Sequence, residues 1–157
     1  MTDSHLLRPS DLLEHWLGHR RLTRRVIEAF PDEQLFTFAP APPMRPFGEM
    51  VWEVHGQTAY NLNGLLGGGW GEPVWERVPS ADKTDLLAEW EAQTAQLERE
   101  LPAFPAARYG EIKRLAWGDM LVFTAVIGAV DNEIHHRGQG IVYLRLLGIT
   151  PPEFWER

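Results

Sequence analysis

Apolar residues recur at helical spacing in four long stretches of this chain, separated by connections rich in proline and glycine. Leu12, Leu13, Trp16, Leu17, Val26, Ile27 and Phe30 predict a first helix from about Ser10 to Phe30. Pro31 then opens a connection containing Pro40, Pro42, Pro43 and Pro46, where missing amide donors discourage regular structure and an ordered surface loop is expected. Pro46 is placed to start a second helix carrying Met50, Val51, Val54, Leu62, Leu65 and Leu66, which the run Gly67-Gly68-Gly69 ends. Asp82 to Asp85 resembles a capping box and precedes Leu86, Leu87, Trp90, Leu97 and Leu101, a third helix ending near Pro102. Mixed signals from Pro102 to Trp117 fit a turn or a small hairpin. The last helix is predicted from about Asp119 to Leu147, stopped by Gly148 and Pro151-Pro152, with its almost wholly apolar first half the most buried. Strand-like alternation is almost absent, so the pattern predicts an all-α four-helix bundle in a single domain spanning residues 1–157.

Composition supports one compact core and removes several functions. With 157 residues, 44% of them hydrophobic and seven tryptophans, the chain can fill one core and leaves little room for a second. A net charge of −7 without a basic stripe disfavours nucleic-acid binding. The absence of cysteine excludes disulfides, thiolate ligands and a cysteine nucleophile, so any thiol chemistry needs an external thiol. Met1 to Asp11 lacks a basic segment followed by an apolar run, which makes a cytoplasmic location the expectation. The longest apolar stretch, Met120 to Val130, falls well short of the roughly 20 residues that cross a bilayer, so no membrane association is expected.

Chemistry concentrates in the last predicted helix, in Asp131-Asn132-Glu133-Ile134-His135-His136-Arg137-Gly138-Gln139. At 3.6 residues per turn Asn132, His136, Gln139 and Tyr143 share one face, and Asp131 and His135 a neighbouring one, so only one set can turn fully inward. Gly138 and Gly140 each weaken a helix by about 1 kcal/mol relative to Ala, which calls for a close helix contact or open space beside them. In the second helix His55 lies among apolar residues with Trp52 one turn before it, and a buried imidazole there needs a partner. Arg137 reads as a surface or dimer-contact residue, Gln139 as a group bonding across the bundle, and Trp52 and Tyr143 as core aromatics. His5, His15 and His19 form no ligand constellation and read as surface residues. Glu133-x-x-His136 has the spacing found in di-iron bundles, but it occurs once where two copies and two further glutamates are needed. No phosphate-binding loop, serine elbow or His-Glu-x-x-His segment is present.

The segment Asn132 to Pro152, NEIHHRGQGIVYLRLLGITPP, together with a lone histidine late in the second long helix, resembles the DinB/YfiT family of bacterial four-helix proteins over nearly the whole chain. The resemblance implies a four-helix bundle with long crossover connections and a divalent metal, nickel or zinc, held by three histidines. One comes from the second helix and two, spaced i, i+4, from the last. Carried onto this sequence, His55 and His136 are the expected metal ligands, and position 132, where the family has histidine, is Asn132, a weak ligand or a group behind the ligands. Glu133, His135, Gln139, Tyr143 and Trp52 are the expected supporting residues.

The resemblance further implies a homodimer and a metal-dependent enzyme acting on a small molecule. Its ion would activate a small-thiol cosubstrate for S-transfer or a water for hydrolysis. The substituted ligand also fits an alternative: a non-catalytic helical protein whose degenerate metal site only fixes helix register, acting as a structural or stress-associated dimer. No particular catalytic residue follows from the sequence.

Overall fold

The computed structural model describes residues 8–73 and 75–157; the expectation for His5 lies outside them. Four long helices form the bundle: α1 (Pro9–Ala29), α3 (Phe47–Leu65), α4 (Lys83–Glu100) and α5 (Val122–Leu146). Their starts follow local chemistry. Pro9 occupies the first turn of α1, where its missing N–H is no loss, and Pro46 stands just before α3. The Asp82 carboxylate caps α4 by accepting from Thr84 N at 2.7 Å and Asp85 N at 3.1 Å. Gly67 and Gly69, at φ 94° and 82°, follow the end of α3 in a conformation that side-chain-bearing residues avoid.

Two connections carry more structure than the sequence indicates. The proline-rich one holds a single-turn helix, α2 (Asp32–Leu35), which buries Leu35 in the core. Between α4 and α5, two 3₁₀ turns lead to an antiparallel hairpin, β1 (Ile112–Leu115) and β2 (Gly118–Leu121), the small hairpin that the mixed signals allowed. The hairpin corrects the expected start of the last helix. Asp119 pairs in register with Arg114 and forms an ion pair with it at 3.1 Å, so helical backbone begins only at Val122.

The helices form a square, with α1 beside α4 and α5, and α3 beside the same two. Contacts fix their directions. Phe47 lies against Gly140 and Tyr60 packs with Ala125, so α3 and α5 are antiparallel. Leu12 clusters with Val126 and Val130, Trp16 reaches Glu133, and Val26 and Phe30 cluster with Tyr143 and Leu144, so α1 runs with α5. Trp52 meets Ser80 and His55 meets Gln93, so α3 and α4 run the same way and residues 66–82 must travel back along the bundle. That segment is the long crossover. It lies on α3, with Trp70 over Gly64, Trp75 over Gly56 and Ser80 bonded to Trp52. A Cβ at Gly56 would sit 2.7 Å from the Trp75 Cα, so only glycine lets the loop lie this close.

Two large apolar clusters fill the interior, one around Val26, Phe30, Phe47, Trp90 and Tyr143 and the other around Trp16, Leu62, Leu97 and Val126, and a small third joins Tyr60, Leu115 and Ala125. Among the described residues no helix is long and apolar enough to cross a membrane.

The paired glycines of α5 have opposite surroundings. A Cβ at Gly140 would lie 2.5 Å from Phe47 Cε2, whereas one at Gly138 meets nothing within 4 Å. Gly140→Ala is therefore expected to destabilise by about 1–3 kcal/mol through overpacking, and Gly138→Ala to stabilise by up to about 1 kcal/mol through helix propensity. Urea denaturation checks both signs; equal effects would mean that α3 and α5 are not in this close contact.

Candidate functional site

Of the two faces of α5 that the sequence offers, the one carrying Asn132, His136, Gln139 and Tyr143 turns inward. His136 and Tyr143 are buried, Asn132 and Gln139 are half-buried, and Asp131 and His135 are exposed. His136 Nε2 lies 3.0 Å from Glu53 Oε1 on α3, and Glu53 Oε2 accepts from the Arg45 guanidinium. Arg45 is positioned by the connection before α3, and its carbonyl accepts a hydrogen bond from the Tyr143 hydroxyl at 3.1 Å. One turn beyond Glu53, the Gln57 Oε1 is buried without a partner among the described residues, as is His136 Nδ1 on the other side of the imidazole. The cleft outside this pair is lined by Arg45, Glu49, Glu53, Trp75 and Glu76.

The electrostatics of the pair are mixed. Burial pushes the Glu53 carboxyl up, but hydrogen bonds from Arg45 and His136 outweigh it and hold the group below its ordinary value. Burial pushes His136 down, against the opposing pull of Glu53. The pair is thus a carboxylate beside an imidazole that burial keeps neutral, with both Glu53 oxygens already engaged.

His55 is not part of this arrangement. It lies two residues from Glu53, and two residues turn a helix by about 200°, so the side chain that meets His136 and the one at position 55 leave α3 in nearly opposite directions. The His55 ring instead stands edge-on to Trp52, at 5.5 Å between centroids, and burial holds it below the usual histidine range. Among the described residues no group of three or more His, Asp or Glu side chains is placed to hold a metal ion.

Of the expected supporting residues, Trp52 and Tyr143 are core aromatics as anticipated. His135 is exposed and accepts from Gln139 Nε2 at 2.8 Å. This bond corrects the reading of Gln139 as a cross-bundle group: an i, i+4 partner on its own helix is within reach.

Glu133 faces the opposite side, toward α1, with no exposure at all. Its carboxylate accepts from Thr23 Oγ1 at 2.6 Å and Trp16 Nε1 at 3.3 Å, and lies 3.7 Å from Arg137 Nη1. Arg137 is therefore a buried residue, not a surface or dimer contact, and it donates to His19 O and His19 Nδ1 as well. His19 is likewise buried, contrary to its surface reading, because the Arg137 guanidinium needs an acceptor inside the bundle. Arg20 lies over the Trp90 ring at 3.7 Å and donates to Thr94 Oγ1 and Trp90 O. Sequence reasoning missed Glu53, Arg45, Thr23 and Arg20. The available signal for the first was a polar row at i, i+4 spacing, Glu49, Glu53 and Gln57, along one face of the second helix.

Such a bundle, with a carboxylate–imidazole contact between its second and last long helices and a separate buried ionic layer, is an all-α fold with polar groups gathered on its last helix. The model of the DinB superfamily matches residues 15–139, and the chain belongs to that superfamily. Solved structures agree on the fold. A DinB-like protein from Bacillus cereus superposes with a TM-score of 0.74 at 22% identity, covering 92% of this chain and 95% of its own. A DinB-like protein from Bacillus subtilis gives 0.73 at 20% identity, covering 91% and 96%. A protein assigned to the DinB family from Exiguobacterium sibiricum gives 0.63 at 19% identity, covering 89% and 91%. No curated protein matches the chain.

Two measurements test the ionic layer. Glu133→Ala would leave Arg137 buried without its counter-charge and is expected to cost about 3–5 kcal/mol in denaturant unfolding; a loss below about 1 kcal/mol would exclude that role. His19 is pushed down from 6.5 to about 4, first by burial and then by Arg137. The unfolded chain therefore takes up this proton first, so stability is full above pH 6.5 and falls as the pH drops toward about 4. His19→Gln should make that decline shallower; an unchanged slope would show that the ring is not held neutral.

Proposed function

We propose that this DinB-superfamily protein is a non-catalytic helical scaffold with a degenerate metal site, its polar layers fixing helix register within a structural or stress-associated homodimer. The observation that carries the reading is the engagement of His136. Its Nε2 is spent on Glu53, whose second oxygen is spent on Arg45, and a guanidinium beside the carboxylate opposes a further cation. The donors that meet here are one imidazole and one carboxylate already paired, and an amide from Asn132, one turn before His136, would complete a set that fits nickel or zinc poorly. His55, on the far side of α3, does not complete it.

A second reading is favoured by one observation, the buried His136 Nδ1 that lacks a partner among the described residues. In it, His55, His136 and Asn132 hold a divalent ion that supplies activation of a small thiol for transfer or of water for hydrolysis. That reading needs the Glu53 contact opened and the His55 ring carried around its helix.

Metal titration separates the two. Nickel or zinc added to the metal-free full chain is expected to leave the melting temperature unchanged, whereas a rise of several degrees with one ion bound per chain would overturn the scaffold reading. Asn132→His places a second imidazole one turn before His136 and is expected to create zinc or nickel binding measurable by calorimetry.

A further inference from the structure

The space that His55 does occupy has its own chemistry. Between α3 and the crossover segment lies a cavity of about 340 Å³ whose walls include Trp52, His55, Tyr60, Trp70 and the small residue Ala59. A second hollow of about 410 Å³ adjoins it, sharing Trp52, His55, Arg77 and Pro79. Ring positions here are fixed by bonds made elsewhere. Trp52 Nε1 donates to Ser80 O at 2.7 Å, the Tyr60 hydroxyl accepts from Ala116 N at 3.2 Å, and Trp70 rests on Gly64 with its ring 5.5 Å from Tyr60. The aromatic walls are therefore in place before any ligand arrives, which removes the ordering penalty that a collapsing pocket would incur.

We propose that this hollow is a binding site for an aromatic organic cation, an aryl-alkyl ammonium compound whose ring lies among Trp52, Tyr60 and Trp70 and whose ammonium faces the acidic rim. Indole and phenol faces attract cations and favour aromatic partners. Three carboxylates border the two hollows, Glu72, Asp85 and Glu89, against one guanidinium, Arg77. Asp85 accepts from Ser80 Oγ, while Glu72 and Arg77 enter no ion pair among the described residues. The rim is thus net negative on a chain of net charge −7, which raises the local concentration of cations over anions. The inference does not rest on the scaffold reading and stands whether or not Glu53 and His136 hold a metal.

Calorimetric titration of the full chain tests it, with phenethylammonium chloride as the probe, 2-phenylethanol as the uncharged match and 3-phenylpropionate as the anionic one. Saturable one-to-one binding of the ammonium compound is expected, weaker for the alcohol and absent for the acid. Glu72→Gln should weaken it roughly threefold to tenfold, and Arg77→Gln should tighten it by a similar factor. Ala59→Phe, at an exposed helix position on the cavity wall, should abolish binding with the melting temperature held. If that variant does not fold, the two rim variants decide. No saturable heat with the ammonium compound, binding unaffected by the filled cavity, or rim variants without effect would overturn the proposal. So would preference for the acid, which would assign the hollow to an organic anion on Arg77.

Discussion

A carboxylate fully removed from water sits near the middle of α5, and the relation of that helix to α1 follows from what must meet it. An ionised carboxyl in the interior is tolerated only where donors converge on it. Here the indole of Trp16 and the hydroxyl of Thr23 come from α1, and the guanidinium of Arg137 comes one turn further along α5. Arg137 donates in turn to Thr23 and His19 on α1, and Arg20, on α1 between Trp16 and Thr23, donates to Trp90 and Thr94 on α4. The layer therefore sets the rotation of three helices at once. A shift of any helix by one residue would leave several of these groups unpaired, whereas apolar side chains around them could repack at lower cost.

The crossover imposes a second constraint. Because α3 and α4 run in the same direction, residues 66–82 return along the bundle, and the α3 surface is shaped to receive them. Gly64 and Gly56 accept Trp70 and Trp75 where any side chain would collide. The same stripe of α3 carries Trp52 and Tyr60, so a connection that could have been an exposed loop becomes the roof over an aromatic hollow. The architecture of the connection and the cavity have one cause, the parallel run of two adjacent helices.

The polar groups of α5 divide between these two settings. His136 leaves the helix toward α3 and Glu53, while Glu133 and Arg137 leave it toward α1. Superfamily membership accounts for the fold. It does not by itself supply a ligand set: His136 Nε2 meets Glu53, whose second oxygen accepts from Arg45.

The helices, their order and most of their ends were legible in the sequence, because periodic apolar residues, proline starts, the Asp82 cap and the triglycine stop act within a few residues of each other. So was the inward face of α5, since periodicity places Asn132, His136 and Tyr143 together. The start of that helix was not, because Asp119 is drawn into a hairpin by a partner strand. The partners across the bundle were not legible either. Whether His136 meets position 53 or 55 depends on the rotation of α3, and whether Arg137 points outward or inward depends on a hydroxyl and an imidazole brought from α1. Local sequence determined which segments are helical and which faces are apolar; tertiary packing decided which polar groups meet, since those pairings are long-range and are set by how four helices rotate against one another.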